Sequence, residues 1–139
     1  MKARDVMSSP VITVRPDTLI RAAAALLVSH GYTAAPVVDN GRVIGIVTEE
    51  NLVRGQIRSE GWLRPGTWNR AVPQRVREVM TGTPLGMLPD SDLTDLVSLM
   101  LEARIRSMPI LDDGRLVGIV SRRDVLRVVA RGELTSEDL

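Results

Sequence analysis

The sequence predicts an α/β protein of the two-layer α+β kind, made of two β-α-β-β-α halves, and three observations lead there. First, the block Gly-Arg-Val-Ile-Gly-Ile-Val-Thr-Glu-Glu-Asn at 41–51 returns as Gly-Arg-Leu-Val-Gly-Ile-Val-Ser-Arg-Arg-Asp at 114–124, a shift of 73 residues. An internal repeat of this kind governs the reading of the whole chain. Second, the same shift aligns Pro16 with Pro89, Asp17 with Asp90, Pro36 with Pro109 and Arg54 with Arg127. From Pro16 to Arg54 it leaves 11 of 39 positions identical, where average composition gives about 3. Third, each half is only about 60 residues, a size at which a lone core is marginal. The halves are therefore expected to pack on each other.

The elements follow in order. Arg4 to Met7 reads as a short helical turn ending at Ser8-Ser9-Pro10. Val11 to Val14 is β-rich and bounded by prolines, hence a short strand. Pro16-Asp17-Thr18 opens a helix that Asp17 or Thr18 can cap, with Leu19, Ile20, Ala23, Leu26 and Leu27 on its apolar face. His30-Gly31 ends it, Gly31 suiting the left-handed position after a helix. The lone His30 belongs to that helix end and carries no catalytic role. Two strands then flank Asn40-Gly41, the strongest short hairpin signal, and Thr48 caps a helix to about Gly55. The second half repeats this: a turn from Gln74 to Met80, an extended piece at Leu85 to Leu88, and a helix from Ser91 to Ala103 with Leu93, Leu96, Val97, Met100 and Leu101 inward. A hairpin around Asp113-Gly114 follows, then a last helix from Ser121 to Ala130. The organisation expected is a first motif at 1–57, a linker at 58–73 and a second motif at 74–139. Trp62 and Trp68 lie in the linker and are expected to anchor it to the body or to a partner subunit.

Composition narrows the function. A net charge of +1 argues against a general polyanion binder. With no cysteine there is no disulfide, thiol nucleophile or cysteine metal site. No apolar run nears the ~20 residues of a membrane span, and the N-terminus lacks the apolar segment of a secretory signal. A soluble cytoplasmic protein is expected. A Walker loop, a paired His and nucleophile, and a metal-ligand cluster are all lacking, so an enzyme has little support and none is expected.

The ordered set Asp-Val-Met-Ser, Pro-Val-Ile-Thr-Val, Pro-Asp, Ala-Ala-Pro-Val-Val-Asp and Gly-Arg-Val-Ile-Gly-Ile-Val-Thr, present twice in related form, resembles the cystathionine-β-synthase (CBS) motif. The whole chain resembles a tandem CBS pair, or Bateman module. The resemblance implies two motifs packed through their sheets about a pseudo-two-fold, with clefts between them. It implies binding of an adenosine compound: AMP, ADP or ATP, with S-adenosylmethionine possible. It also implies a homodimer and an unidentified regulated protein.

Ser121-Arg122-Arg123-Asp124 is the leading site. A hydroxyl followed three residues later by a carboxylate is close to a capping box and explains itself as a helix start. Arg122 and Arg123 are not explained that way, because the dipole disfavours cations in a first turn; open N–H groups, a hydroxyl and two guanidiniums suit a phosphate. By resemblance, Asp124 holds the ribose hydroxyls. In the first motif Thr48 and Asn51 take the same places, with Glu49 and Glu50 where the arginines stand and an uncharged amide for the carboxylate. Also by resemblance, Tyr32, Ala34 and Ala35, with Arg106, Ser107 and Met108, form the adenine-side walls with Val11, Ile12, Leu85 and Gly86. The alternative function is nucleic-acid binding through the linker, where Arg54, Arg58, Arg64, Arg70, Arg75 and Arg77 are interleaved with Trp62 and Trp68. It is the less favoured reading.

Overall fold

A computed structural model describes residues 1–59, 74–82 and 86–134. In chain order these form α1 (Ala3–Val6), α2 (Ile20–His30), β1 (Ala34–Asp39), β2 (Arg42–Thr48) and α3 (Glu49–Ser59). A 3₁₀ turn at Val76–Glu78 and the two-residue β3 (Thr81–Gly82) come next. The chain then forms α4 (Leu93–Glu102), β4 (Ser107–Asp112), β5 (Arg115–Ser121) and α5 (Arg122–Ala130). Residues 60–73 of the linker, with Trp62 and Trp68, lie outside the described residues, as does Leu85; the linker's first two residues, 58 and 59, continue α3.

The two hairpins form where the repeat places them. Asn40 and Gly41 have φ of 51° and 78°, and Asp113 and Gly114 have 53° and 80°. Two successive positive φ values give the two-residue turn whose twist matches paired strands. Both hairpins carry an irregularity at the same repeat position, between Val37 and Val38 and between Ile110 and Leu111. At the far end of α2, Gly31 adopts φ 68° and donates back to the last turn, as a glycine after a helix should.

Three expectations are corrected. The proline-bounded run at 11–14 is not a strand: only Val14 bridges to Val37, and its counterpart Met87 bridges to Ile110. Prolines at 10 and 16 bound the run, and its ladder bonds to β1 are those of Val14, from Val14 N to Pro36 O and from Val38 N to Val14 O. Neither Asp17 nor Thr18 caps α2. Thr18 Oγ1 accepts from Arg15 N instead, at 3.0 Å, and Asp17 pairs with Arg77. Leu19 and Leu101, assigned to inward faces, are 40% and 61% exposed.

The missing caps have a common replacement. Ile20 N donates to Gln74 O and Leu93 N to Met1 O, each at 2.9 Å. α2 and α4 are thus each started by the backbone of a segment remote in sequence. The helical turn at 76–78 docks on the first motif through Val76 N to Thr18 O (2.8 Å) and Arg77 N to Pro16 O (3.0 Å). The turn α1 docks on the second through Ala3 N to Ser91 O (2.9 Å) and Arg4 N to Pro89 O (3.0 Å). Arg4 pairs with Asp90 as Arg77 does with Asp17. Every one of these partners is related to its counterpart by the 73-residue shift. The chain accordingly divides into two compact units, Met1–Val11 with Leu85–Leu139 and Ile12–Pro84, whose boundaries differ from those of the sequence repeats.

Each unit has its own aliphatic core. Val14, Ile20, Leu27, Val37, Val47 and Val76 fill that of Ile12–Pro84, and Ala3, Leu96, Met108, Ile110 and Val120 fill the other. Val76 and Ala3 are both fully buried, so the docked turns are integral to the cores that they cover.

Candidate functional site

Strand β5 ends at Ser121 and α5 begins at once, so the side chains of Ser121 and Asp124 meet at the strand–helix junction. Ser121 Oγ accepts from Asp124 N at 3.2 Å, and Asp124 Oδ2 accepts from Ser121 N at 2.8 Å and from Ser121 Oγ at 3.0 Å. This is a complete capping box, with two otherwise orphaned helix donors satisfied. The remaining oxygen, Oδ1, accepts from Arg127 Nη1 at 2.9 Å and Ser8 Oγ at 3.1 Å. Asp124 is only 5% exposed. A carboxylate offers about four acceptor sites, and all four are engaged.

Ser8 and Arg127 are the residues that the sequence reading missed. Arg127 could have been found, since residues three apart on a helix are neighbours. Ser8 could not: it lies 116 positions from Asp124 and reaches it because Ser8 N donates to Ile119 O (2.9 Å) and Ile119 N to Ser8 O (3.1 Å). The open N–H groups expected for a phosphate are also fewer than supposed. Arg122 N already donates to Arg106 O at 3.0 Å and Asp124 N to Ser121 Oγ. The Arg122 and Arg123 side chains themselves are exposed.

The first motif builds the same junction with a neutral pair. Thr48 N donates to Asn51 Oδ1 at 3.0 Å and Asn51 N to Thr48 Oγ1 at 3.1 Å. Arg54, the counterpart of Arg127, turns away to Glu50 at 2.6 Å, because an amide gives it no charge to meet. The two junctions therefore share a shape and differ in charge.

The other predicted residues divide between the units. Ser107 and Met108 are buried at the start of β4, Met108 completely and as part of the core, and Arg106 beside them is exposed. Val11 is half-buried and Gly86 exposed; a Cβ on Gly86 would stand 2.7 Å from Leu111 Cδ1. In the other unit Ile12 and Ala34 are half-buried and Ala35 is fully buried. Tyr32 is 43% exposed and stacks on His30 with ring centroids 5.7 Å apart. Among the described residues no group of three or more His, Cys, Asp or Glu side chains could hold a metal, and no helix is long and apolar enough to cross a membrane.

The model of the CBS domain matches residues 3–57 and again 76–131. The chain belongs to the CBS domain family. Its two matches make it a tandem CBS pair. It is 34% identical over 122 residues to the CBS domain-containing protein YhcV of Bacillus subtilis, covering 88% of this chain and 81% of that one. Among solved structures, the CBS pair of MJ0100 in complex with 5′-methylthioadenosine and S-adenosyl-L-methionine superposes with a TM-score of 0.81 at 25% identity, over 95% of this chain and 98% of that one. CBSX2 in complex with AMP gives 0.79 at 27% identity, over 96% and 98%. The pair also matches parts of larger enzymes: inosine-5′-monophosphate dehydrogenase of Methanocaldococcus jannaschii aligns over 91% of this chain, which spans 23% of the enzyme.

Proposed function

We propose that this chain is a regulatory module that binds an adenosine nucleotide, AMP, ADP or ATP, and acts as a homodimer on an unidentified regulated protein. The observation that carries the reading is the likeness, along almost the whole chain, to two CBS pairs solved with adenosine ligands, one of them AMP. The junction Ser121–Asp124 is the part of the molecule suited to such a ligand. Its buried carboxylate can accept from ribose hydroxyls, and Arg122, Arg123 and Arg106 beside it are exposed cations for a phosphate.

The engaged state of Asp124 adds a condition. A ribose hydroxyl must displace a donor from the carboxylate. Ser8 Oγ, at 3.1 Å the longest of its contacts, leaves by a rotation about χ1 while its backbone stays paired with Ile119. The exchange trades one hydroxyl for another and costs little. Asn51 offers a neutral amide in the same place, and Glu49 and Glu50 oppose a phosphate there, so the two junctions bind unequally. Calorimetric titration of AMP, ADP, ATP and S-adenosylmethionine into the protein tests the reading. Saturable heat with an adenosine nucleotide is expected, and no heat with any of the four contradicts it. Nucleic-acid binding rests on Trp62 and Trp68, outside the described residues, and nothing in the described part favours it.

A further inference from the structure

Two methionines at repeat-related positions, Met7 and Met80, lie flat against glycines of β5 and β2. A Cβ on Gly118 would collide with Met7 Sδ and stand 2.8 Å from its Cγ, and one on Gly45 would stand 3.0 Å from Met80 Sδ. The absence of a side chain at each glycine is what seats the thioether. Met7 packs on the core of Ala3, Met108 and Val120, and Met80 on that of Val14, Val47 and Val76. Both are nonetheless only half-buried.

Each closes a docked turn. Met7 N donates to Ala3 O at 3.0 Å and Met80 N to Val76 O at 2.9 Å, and the next residues, Ser8 and Thr81, pair with Ile119 and Ile46. The thioether is thus the apolar pin between a turn and its strand. The chain has no cysteine, so thioethers are the only sulfur that an oxidant meets. Met100 and Met108, 2% and 0% exposed, are shielded. Met1 is exposed and Met87 half-buried, and neither closes a turn.

We propose that Met7 and Met80 are modification sites, oxidised by a peroxide to methionine sulfoxide, and that the oxidation unseats the two docked turns. The sulfur lone pair attacks one peroxide oxygen; the S–O bond forms as the O–O bond breaks, and the second oxygen leaves as water or an alcohol. The sulfur loses two electrons and the peroxide gains them. An apolar side chain becomes polar, and an oxygen on the strand side falls where even a Cβ does not fit. A buried polar oxygen without a donor is costly, so the turn leaves its seat. Ser8 follows Met7, and its hydroxyl then departs from Asp124 and frees one acceptor site. A thiol-dependent sulfoxide reductase reverses the step, giving back the thioether and water while two thiols pair as a disulfide. The inference does not depend on which ligand the protein binds.

Treatment of the intact protein with hydrogen peroxide, followed by mass spectrometry of its peptides and by hydrogen exchange, tests this. A gain of one oxygen at Met7 and at Met80 is expected. Protection of the amides at 3–8 and 76–82 should fall about tenfold or more and return after methionine sulfoxide reductase. Met7→Leu should keep 3–8 protected under the same peroxide, although Met1 and Met87 are still oxidised. Met7→Gln, polar without any oxidant, should lower protection at 3–8 and leave 76–82 unchanged, which separates a local release from a failure to fold. Met7 and Met80 left unmodified after complete oxidation of Met1 would overturn the proposal, as would sulfoxide at both with unchanged protection.

Discussion

At the scale of single residues, Asp124 has two duties that a single substitution disturbs together. Asp124→Ala strips the capping box and leaves Ser121 N and the Arg127 guanidinium without their acceptor. Losing a charged partner of this kind costs about 1.5–3 kcal/mol, so a clear fall in the urea midpoint is expected. Asn51→Ala removes only the neutral acceptor of Thr48 N, a hydrogen bond worth about 0.5–1.5 kcal/mol, and leaves the Thr48 hydroxyl on the N–H of residue 51, so it should shift the midpoint less. Equal shifts would contradict the charge difference between the junctions. The Ser-x-x-Asp pairing was legible in the sequence because a cap is a local device, four residues long. The full set of partners at Asp124 was not, because Ser8 arrives through strand pairing that no local pattern encodes. The expectation of open N–H groups failed for the same reason: Arg106 O is brought in by the hairpin and takes one of them.

At the scale of elements, two glycines of one sheet should respond very differently to the same change. A Cβ on Gly45 would stand 2.6 Å from Thr81 O and 3.0 Å from Met80 Sδ, whereas on Gly82 it meets nothing within 4 Å. Gly45→Ala must push β3 off β2 and should cost about 1–3 kcal/mol, as overpacking does, with Gly82→Ala close to neutral. Similar melting curves for the two would show that β3 is not held against Gly45. The docking of α1 brings a pH dependence. Lys2 Nζ donates to Asp92 at 2.6 Å, and this hydrogen bond, followed by the ammonium charge, lowers the Asp92 pKa below its ordinary value. A lowered pKa in the folded state contributes stability that is present above the ordinary carboxylate range and is lost as pH falls through the lowered value. The protection factors of the α1 amides, corrected for the intrinsic exchange rate at each pH, should therefore fall on acidification, and Lys2→Ala should flatten that response; an unchanged profile in the variant would contradict the assignment. Helices and hairpins were legible because their periodicity and turn residues are local. The helix starts were not: Ile20 and Leu93 take their caps from Gln74 O and Met1 O, far away in sequence.

At the scale of the whole molecule, the 73-residue repeat was fully visible, and so was the family. The division into compact units was not, because sequence similarity reports duplication and says nothing about which copy a connecting turn docks on. That exchange gives a prediction. A fragment 74–139 lacks α1, so the Leu93 N–H and the pocket of Ala3 stay unfilled, and the fragment should be poorly structured by circular dichroism. Adding a peptide of residues 1–11 should raise its helicity and cooperativity, and a fragment that melts alike with and without the peptide would contradict the exchange. The central claim is that an adenosine nucleotide binds at the junction carrying Asp124. Titration calorimetry of AMP and ATP into the intact protein, Asp124→Ala and Asn51→Ala, each first shown to be folded at the working temperature, tests it most directly. The account predicts an affinity lower by roughly ten- to 150-fold in Asp124→Ala and a much smaller change in Asn51→Ala. Undiminished binding in a folded Asp124→Ala would contradict it.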